Sequence, residues 1–172
     1  LLSDLSEAAA RQVAGHMKQF QNPNDVMIAS IHWGGNWGYE ISKEQIAFAH
    51  LLIEEGEAIV HGHSSHHVKS LEVHQDRLIL YGCGDFLSDY EGISGYEMYR
   101  GDLGLMYLVQ AEPRRGRLAA ARLIPMQVRR FRLNRAPTTD AQLLRSLLNR
   151  LGASFGTQVQ LDDDDSLNLV WW

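Results

Sequence analysis

The chain has 172 residues, 45% hydrophobic and 22% charged, which is the balance of a globular domain with a core of its own. A net charge of −5 gives no electrostatic case for nucleic-acid binding, and no apolar run approaches the roughly 20 residues of a membrane-spanning helix. The single cysteine, Cys83, excludes an internal disulfide and is interpreted as a small apolar residue.

The first third of the chain predicts a helix followed by a strand–helix–strand unit. In chain order, the apolar spacing predicts a helix over 4–20, a strand over 26–31, a helix over 42–55 and a strand over 57–61. The two helices begin at capping-box pairs, Asp4 with Glu7 and Ser42 with Gln45. Because the strands of such a unit are parallel, both should end at the same edge of a sheet.

The rest of the chain predicts hairpins and one further helix. The hairpins are expected over 68–82, 102–128 and 157–172, and the helix over 139–151. If the chain reverses after residue 67, the second strand of the first hairpin returns to the edge where the parallel strands end. Asp85 would then arrive beside the residues that follow those strands.

A cluster of histidines follows the second strand. Four of the eight histidines fall between His61 and His67. Neutral imidazole is the commonest ligand of transition metals and the usual acid or base near neutral pH, whereas as packing each ring needs partners for two nitrogens. His63 and His66 are spaced for shared metal binding or for paired acid and base work. The roles of His61 and His67 stay open.

Two further loops are expected at the same edge. His32 ends the first strand, and the loop that follows contains Trp33 and Trp37, which either wall a pocket or pack beneath the loop. Asp85 supplies a carboxylate that binds metal or orients a histidine, or else caps a turn. Asp89 and Glu91 add further carboxylates nearby. We therefore expect the side chains of His32, His63 and Asp85 to share a cleft outside the strand ends.

Four arginines lie close together after the second hairpin. They are Arg129, Arg130, Arg132 and Arg135. Such a cluster suits a solvated strand edge, and the alternative is a surface that faces an anion.

Three ordered motifs resemble the CapA-like family of bacterial poly-γ-glutamate capsule biosynthesis proteins. They are His32-Trp33-Gly34, Gly62-His63-Ser64-Ser65-His66 and the run 78–86 that contains Gly82-Cys83-Gly84-Asp85. The resemblance implies a mixed-sheet α/β sandwich of the metallophosphatase (calcineurin-like phosphoesterase) type. This sequence departs from the family pattern in two places. An inserted residue in the histidine motif bears on the choice of His66 over His67, and Asp85 stands where the family commonly has Asn.

The resemblance also implies the site. The candidate catalytic residues are His32, His63, His66 and Asp85, and the candidate metal ligands are His32, His63 and His66. The implied cofactor is a divalent metal, Zn, Mn or Fe. If the protein is active, it resembles a metal-dependent hydrolase of phosphoesterase or amidase type, and whether it is an enzyme is left open.

The match extends to residues 1–172 as one CapA-like domain, corresponding to the C-terminal half of such a fold. The acidic and Asn residues of the upstream half have no counterpart here, so we expect a weak metal site and an uncovered apolar sheet surface. The implied partners are poly-γ-glutamate or a related anionic polymer, capsule synthase components and another copy of the chain, in a bacterial envelope or cytoplasm. The alternative function is a non-catalytic envelope component that binds polymer or a partner.

Overall fold

The computed structural model describes residues 2–88, 92–113 and 115–172. The helices are α1 (Glu7–Lys18), α2 (Lys43–Glu55) and α3 (Thr138–Gly152). The strands are β1 (Ile28–His32), β2 (Ile59–His63), β3 (Leu71–His74), β4 (Arg77–Leu80), β5 (Leu103–Ala111), β6 (Leu118–Arg129), β7 (Arg132–Arg135), β8 (Thr157–Leu161) and β9 (Leu167–Trp171). Among the described helices, none has the length and apolar character needed to cross a membrane.

The first sheet has the strand order β1-β2-β4-β3. Strands β1 and β2 are parallel, as predicted, and their register places His32 opposite His63. Gln75 and Asp76 both have positive φ, at 48° and 61°, and form the two-residue turn that reverses the chain between β3 and β4. Strand β4 therefore runs parallel to β2. The predicted return of the chain to the histidine edge is confirmed.

The second sheet is antiparallel throughout. Its strands follow the order β5-β6-β9-β8, and β7 also pairs with β6. The long hairpin of β5 and β6 agrees with the predicted one, and so does the final hairpin of β8 and β9. The apolar pattern does not predict the short strand β7, because two of its four residues are arginine and the segment has no apolar alternation.

Two apolar cores hold these layers together. One face of the first sheet packs against α1 and α2 through side chains that include Val60, Ile79 and Tyr81. The alternate residues Leu78 and Leu80 join a second core with the other sheet and α3. The predicted fold class, a mixed-sheet α/β sandwich, is confirmed.

The start of α1 and the span of β2 differ from their predictions. Helix α1 begins at Glu7, because Ser6 accepts the amide of Ala9, while Asp4 accepts the amide of Ser6 instead. Strand β2 was predicted to end at residue 61, but Gly62 and His63 also pair with β1, so β2 extends through His63.

The two later helices begin in different ways. The capping box of α2 at Ser42 and Gln45 is confirmed, whereas α3 begins after Pro137 without a side-chain cap.

Candidate functional site

Two histidines stand side by side at the C-terminal ends of β1 and β2. The ring centroids of His32 and His63 lie 5.2 Å apart at an interplanar angle of 75°. His61 lies two residues earlier on the same face of β2, and its ring centroid is 5.7 Å from that of His63. Nδ1 of His61 shares a hydrogen bond of 3.0 Å with Ser30 Oγ. Burial, and to a lesser degree the neighbouring His63, lowers the pKa of His61, so its ring is neutral at pH 7.

A histidine–carboxylate pair forms the second part of the site. Nδ1 of His66 lies 2.9 Å and 3.1 Å from the two carboxylate oxygens of Asp85. The backbone amide of His66 also donates to Asn36, which ties the histidine loop to the loop after β1. A carboxylate at Nδ1 selects the tautomer that carries its proton there, so Nε2 is the basic nitrogen of this ring. This arrangement is the one a general base requires.

The two tryptophans of the loop after β1 have different roles. Trp33 is 6% exposed, stacks on Tyr81 and donates from Nε1 to the carbonyl of Tyr81 at 3.0 Å. Trp37 instead stacks on Tyr96 with centroids 4.3 Å apart and lies 5.3 Å from the ring of His66. Trp33 therefore supports the loop from beneath, and Trp37 walls a pocket.

A cleft of about 300 Å³ lies beside this wall, near the low end of the usual volume of small-molecule pockets. It is lined by Trp37, Tyr96, His66, Asp85 and Arg100, among others. The guanidinium of Arg100 binds the carboxylates of Asp102 and Asp140, which fixes that side of the cleft. The cleft therefore combines a histidine–carboxylate pair with an aromatic wall.

His67 is a packing residue. It is 1% exposed, its Nδ1 donates to the carbonyl of Val68, and its ring stacks on Tyr99 with centroids 4.9 Å apart. Burial lowers the pKa of His67, which keeps the ring neutral. These contacts support His66, rather than His67, as the residue of the site.

Among the described residues, His32, His63 and His66 are not a group whose donor atoms all lie within 4.8 Å of one another. Their role as metal ligands stays a prediction. Asp89 and Glu91 lie outside the described residues. Among the residues that are described, one group of three could hold a metal ion, with all its donor atoms within 4.8 Å of one another: His50, Glu72 and His74.

No pattern in the sequence indicates this group. His50 lies in the middle of α2, and Glu72 and His74 lie on a four-residue strand, so only the folded chain brings them together. Cys83, in contrast, behaves as expected: burial raises its pKa to about 12, which makes it an unreactive apolar residue near neutral pH.

An apolar groove lies next to His61 on the same side of the first sheet. Ile28 is 52% exposed there, and Phe86 and Met106 are each 37% exposed. This groove is the uncovered apolar surface that we expected. Its association with another copy of the chain stays a prediction.

Comparison with known proteins gives a consistent set of matches. A family model described as bacterial capsule synthesis protein PGA_cap matches residues 2–90. The probable polyglutamine synthesis accessory proteins of two Mycobacterium tuberculosis strains are each 48% identical over 104 residues, covering 60% of this chain and 27% of the relative. The capsule biosynthesis protein CapA of Bacillus anthracis is 31% identical over 65 residues, covering 38% of this chain and 16% of the relative. The chain thus spans about a quarter or less of the length of these relatives.

Proposed function

The chain belongs to the bacterial capsule synthesis protein family PGA_cap, and on that premise we propose that it takes part in making a poly-γ-glutamate capsule through a hydrolase-type site. The observation that carries the proposal is the His66–Asp85 pair beside the aromatic cleft. The names of the relatives, polyglutamine synthesis accessory protein and capsule biosynthesis protein, support the process. An accessory role also implies capsule synthase components as partners.

In the proposed reaction, Nε2 of His66 takes a proton from water while the water oxygen attacks the carbon of an amide or the phosphorus of a phosphoester. The bond to the leaving nitrogen or oxygen then breaks, and the imidazolium returns the proton to that atom. Asp85 orients the ring and stabilises the imidazolium. His32 and His63 donate hydrogen bonds to the charge that develops on the substrate oxygen.

Rescue of capsule formation tests this function. In a strain that lacks the gene, the double variant His32→Ala/His63→Ala is expected to restore little or no polymer, because it removes the donors proposed to stabilise the transition state. Polymer per cell is the measurement, with protein abundance determined in parallel. His16→Ala is the matched control, since His16 is exposed on α1, and it should restore wild-type polymer. Full rescue by the double variant would contradict catalysis.

A second candidate function, polymer binding without catalysis, is favoured by the hairpin of β6 and β7. The segment 127–137 contains four arginines and no acidic residue. Arg130 and Phe131 form its turn with positive φ, which places Arg129 directly opposite Arg132. Like charges in that position destabilise a sheet unless an anion lies between them. A polymer of glutamate carries such anions at every residue.

Replacing Arg129 and Arg132 by Gln is expected to weaken binding of poly-γ-glutamate about fivefold to tenfold, since each exposed ion pair contributes up to about 1 kcal/mol. The affinity of the wild type should also fall more steeply with salt than that of the variant. Fluorescence anisotropy of labelled polymer at two ionic strengths measures both effects.

The control for this experiment changes net charge by the same amount elsewhere. Arg11→Gln/Arg117→Gln removes two arginines that already bind Glu7, Glu55 and Asp76. An equal loss of affinity in the two double variants would show a general charge effect and would exclude the hairpin as the binding surface.

A further inference from the structure

Three ligand-type side chains meet where α2 passes the outer strand of the first sheet. We infer that His50, Glu72 and His74 form a metal site for Zn²⁺ or a similar divalent transition-metal ion. Their donor atoms all lie within 4.8 Å of one another. This inference does not depend on the proposed hydrolase function.

Glu72 is at the centre of the group and is held in place. It is only 8% exposed, although it carries a carboxylate. One of its oxygens lies 2.8 Å from Nε2 of His50, and the other accepts the hydroxyl of Tyr81. A buried carboxylate needs compensating charge, and a ligating carboxylate is usually oriented by a hydrogen bond of this kind.

His74 has a nitrogen that lacks a partner within hydrogen-bond distance. Its Nε2 is buried and makes no hydrogen bond, and the carboxylate of Glu54 is 3.6 Å away. A buried nitrogen without a partner costs on the order of 1–3 kcal/mol. A metal ion bound at Nε2 would remove that cost, and Glu54 would be available to it as a fourth ligand.

The chemistry of the donors defines the class of ion. Two imidazole nitrogens and one carboxylate oxygen form the ligand set of many zinc sites and also suit other divalent transition metals. The rings of His50 and His74 are stacked 3.8 Å apart and nearly parallel. Because parallel rings direct their lone pairs in parallel, one ring has to rotate when an ion binds.

The site is accessible and is separate from the histidine edge. The side chains of His50 and His74 are 28% and 22% exposed, so the group lies close to solvent although Nε2 of His74 is itself buried. Glu72 pairs with Ile79, whose side chain faces α1 and α2, so the group lies on the helix side of the sheet. His32 and His63 lie on the opposite side. An ion here would join α2 to β3 and would stabilise the fold.

Zinc titration of the purified chain tests the inference. The wild type and the variant His32→Ala/His63→Ala are both expected to retain this ion and to show a higher unfolding temperature with Zn²⁺. His74→Ala should weaken Zn²⁺ binding at this site by at least about 100-fold, and Tyr81→Phe, which frees Glu72, by about 10-fold. The readouts are a competition titration with a chromophoric chelator and the visible spectrum of bound Co²⁺.

Two results would overturn the inference. One is a Zn²⁺ affinity that His74→Ala leaves unchanged, and the other is binding that disappears in His32→Ala/His63→Ala. Because a variant at this position can fail to fold, NMR of the wild type gives a second measurement. The ring signals of His50 and His74 should shift on addition of Zn²⁺ while those of His16 do not. Rings of His50 and His74 that stay unshifted would also contradict the site.

Discussion

Gly62→Ala is expected to destabilise the fold by about 2–3 kcal/mol, as insertion of a methyl group into a closely packed site generally does. A Cβ atom at Gly62 would lie 2.7 Å from the carbonyl oxygen of Leu80 and 2.8 Å from that of Tyr81. Both neighbours are backbone atoms of the adjacent strand segment, so neither can turn away. The same Cβ would also displace Nε1 of Trp33 from its hydrogen bond to Tyr81.

Urea unfolding measures this effect through the midpoint of the transition. Gly15→Ala is the matched control, because a Cβ at Gly15 meets no atom within 4 Å. Gly15 lies inside α1, three residues before its last residue, and replacing it by Ala should raise the free energy of unfolding by up to roughly 0.5–1 kcal/mol. If Gly62→Ala left the midpoint unchanged, the close packing of Trp33 across β2 would be wrong.

This glycine explains one feature of the histidine motif. Gly62 faces the helix side of the sheet, where only a hydrogen fits above the indole of Trp33. Its neighbours His61 and His63 consequently face the other side, next to His32. The glycine before His63 is therefore a packing requirement that keeps the indole in place beneath the site.

The parts of the site that the sequence predicts are those fixed by local pattern and by the parallel arrangement of strands. Two apolar runs separated by one helix require parallel strands, and the ends of those strands bring His32 to His63. The two-residue turn at Gln75 and Asp76 returns the chain, which brings Asp85 to His66. These contacts follow from topology, so they were predictable without coordinates.

The contacts that escaped prediction depend on packing between distant segments. His50 meets Glu72 because α2 lies over β3, and no periodicity in either segment indicates that crossing. The burial of His67 depends likewise on Tyr99, more than thirty residues away along the chain. His67 is buried among aromatic rings and His66 lines a cleft, but the sequence does not distinguish these two adjacent histidines.

His66→Ala is expected to lower the rate of substrate hydrolysis by about 10²–10⁴-fold, the range that a positioned general base contributes. Asp85 acts through His66, so substitutions of Asp85 should separate the effect of its hydrogen bond to Nδ1 from the effect of its negative charge. Asp85→Asn retains an oxygen that can accept from Nδ1 but removes the negative charge that stabilises the imidazolium, so its activity should lie between those of the wild type and His66→Ala. Asp85→Leu has a similar size and no acceptor, so it should lose nearly as much as His66→Ala.

The measurement is the initial rate of cleavage of poly-γ-glutamate and of a phosphodiester probe, using the protein as its gene encodes it. His66→Ala/Asp85→Leu should be no slower than His66→Ala, because a residue that acts only through the ring of His66 has no effect once that ring is gone. Additive losses would assign Asp85 a direct role at the substrate. A wild-type rate in His66→Ala, with His16→Ala as the control, would exclude His66 as the base and favour a site that binds polymer without cleaving it.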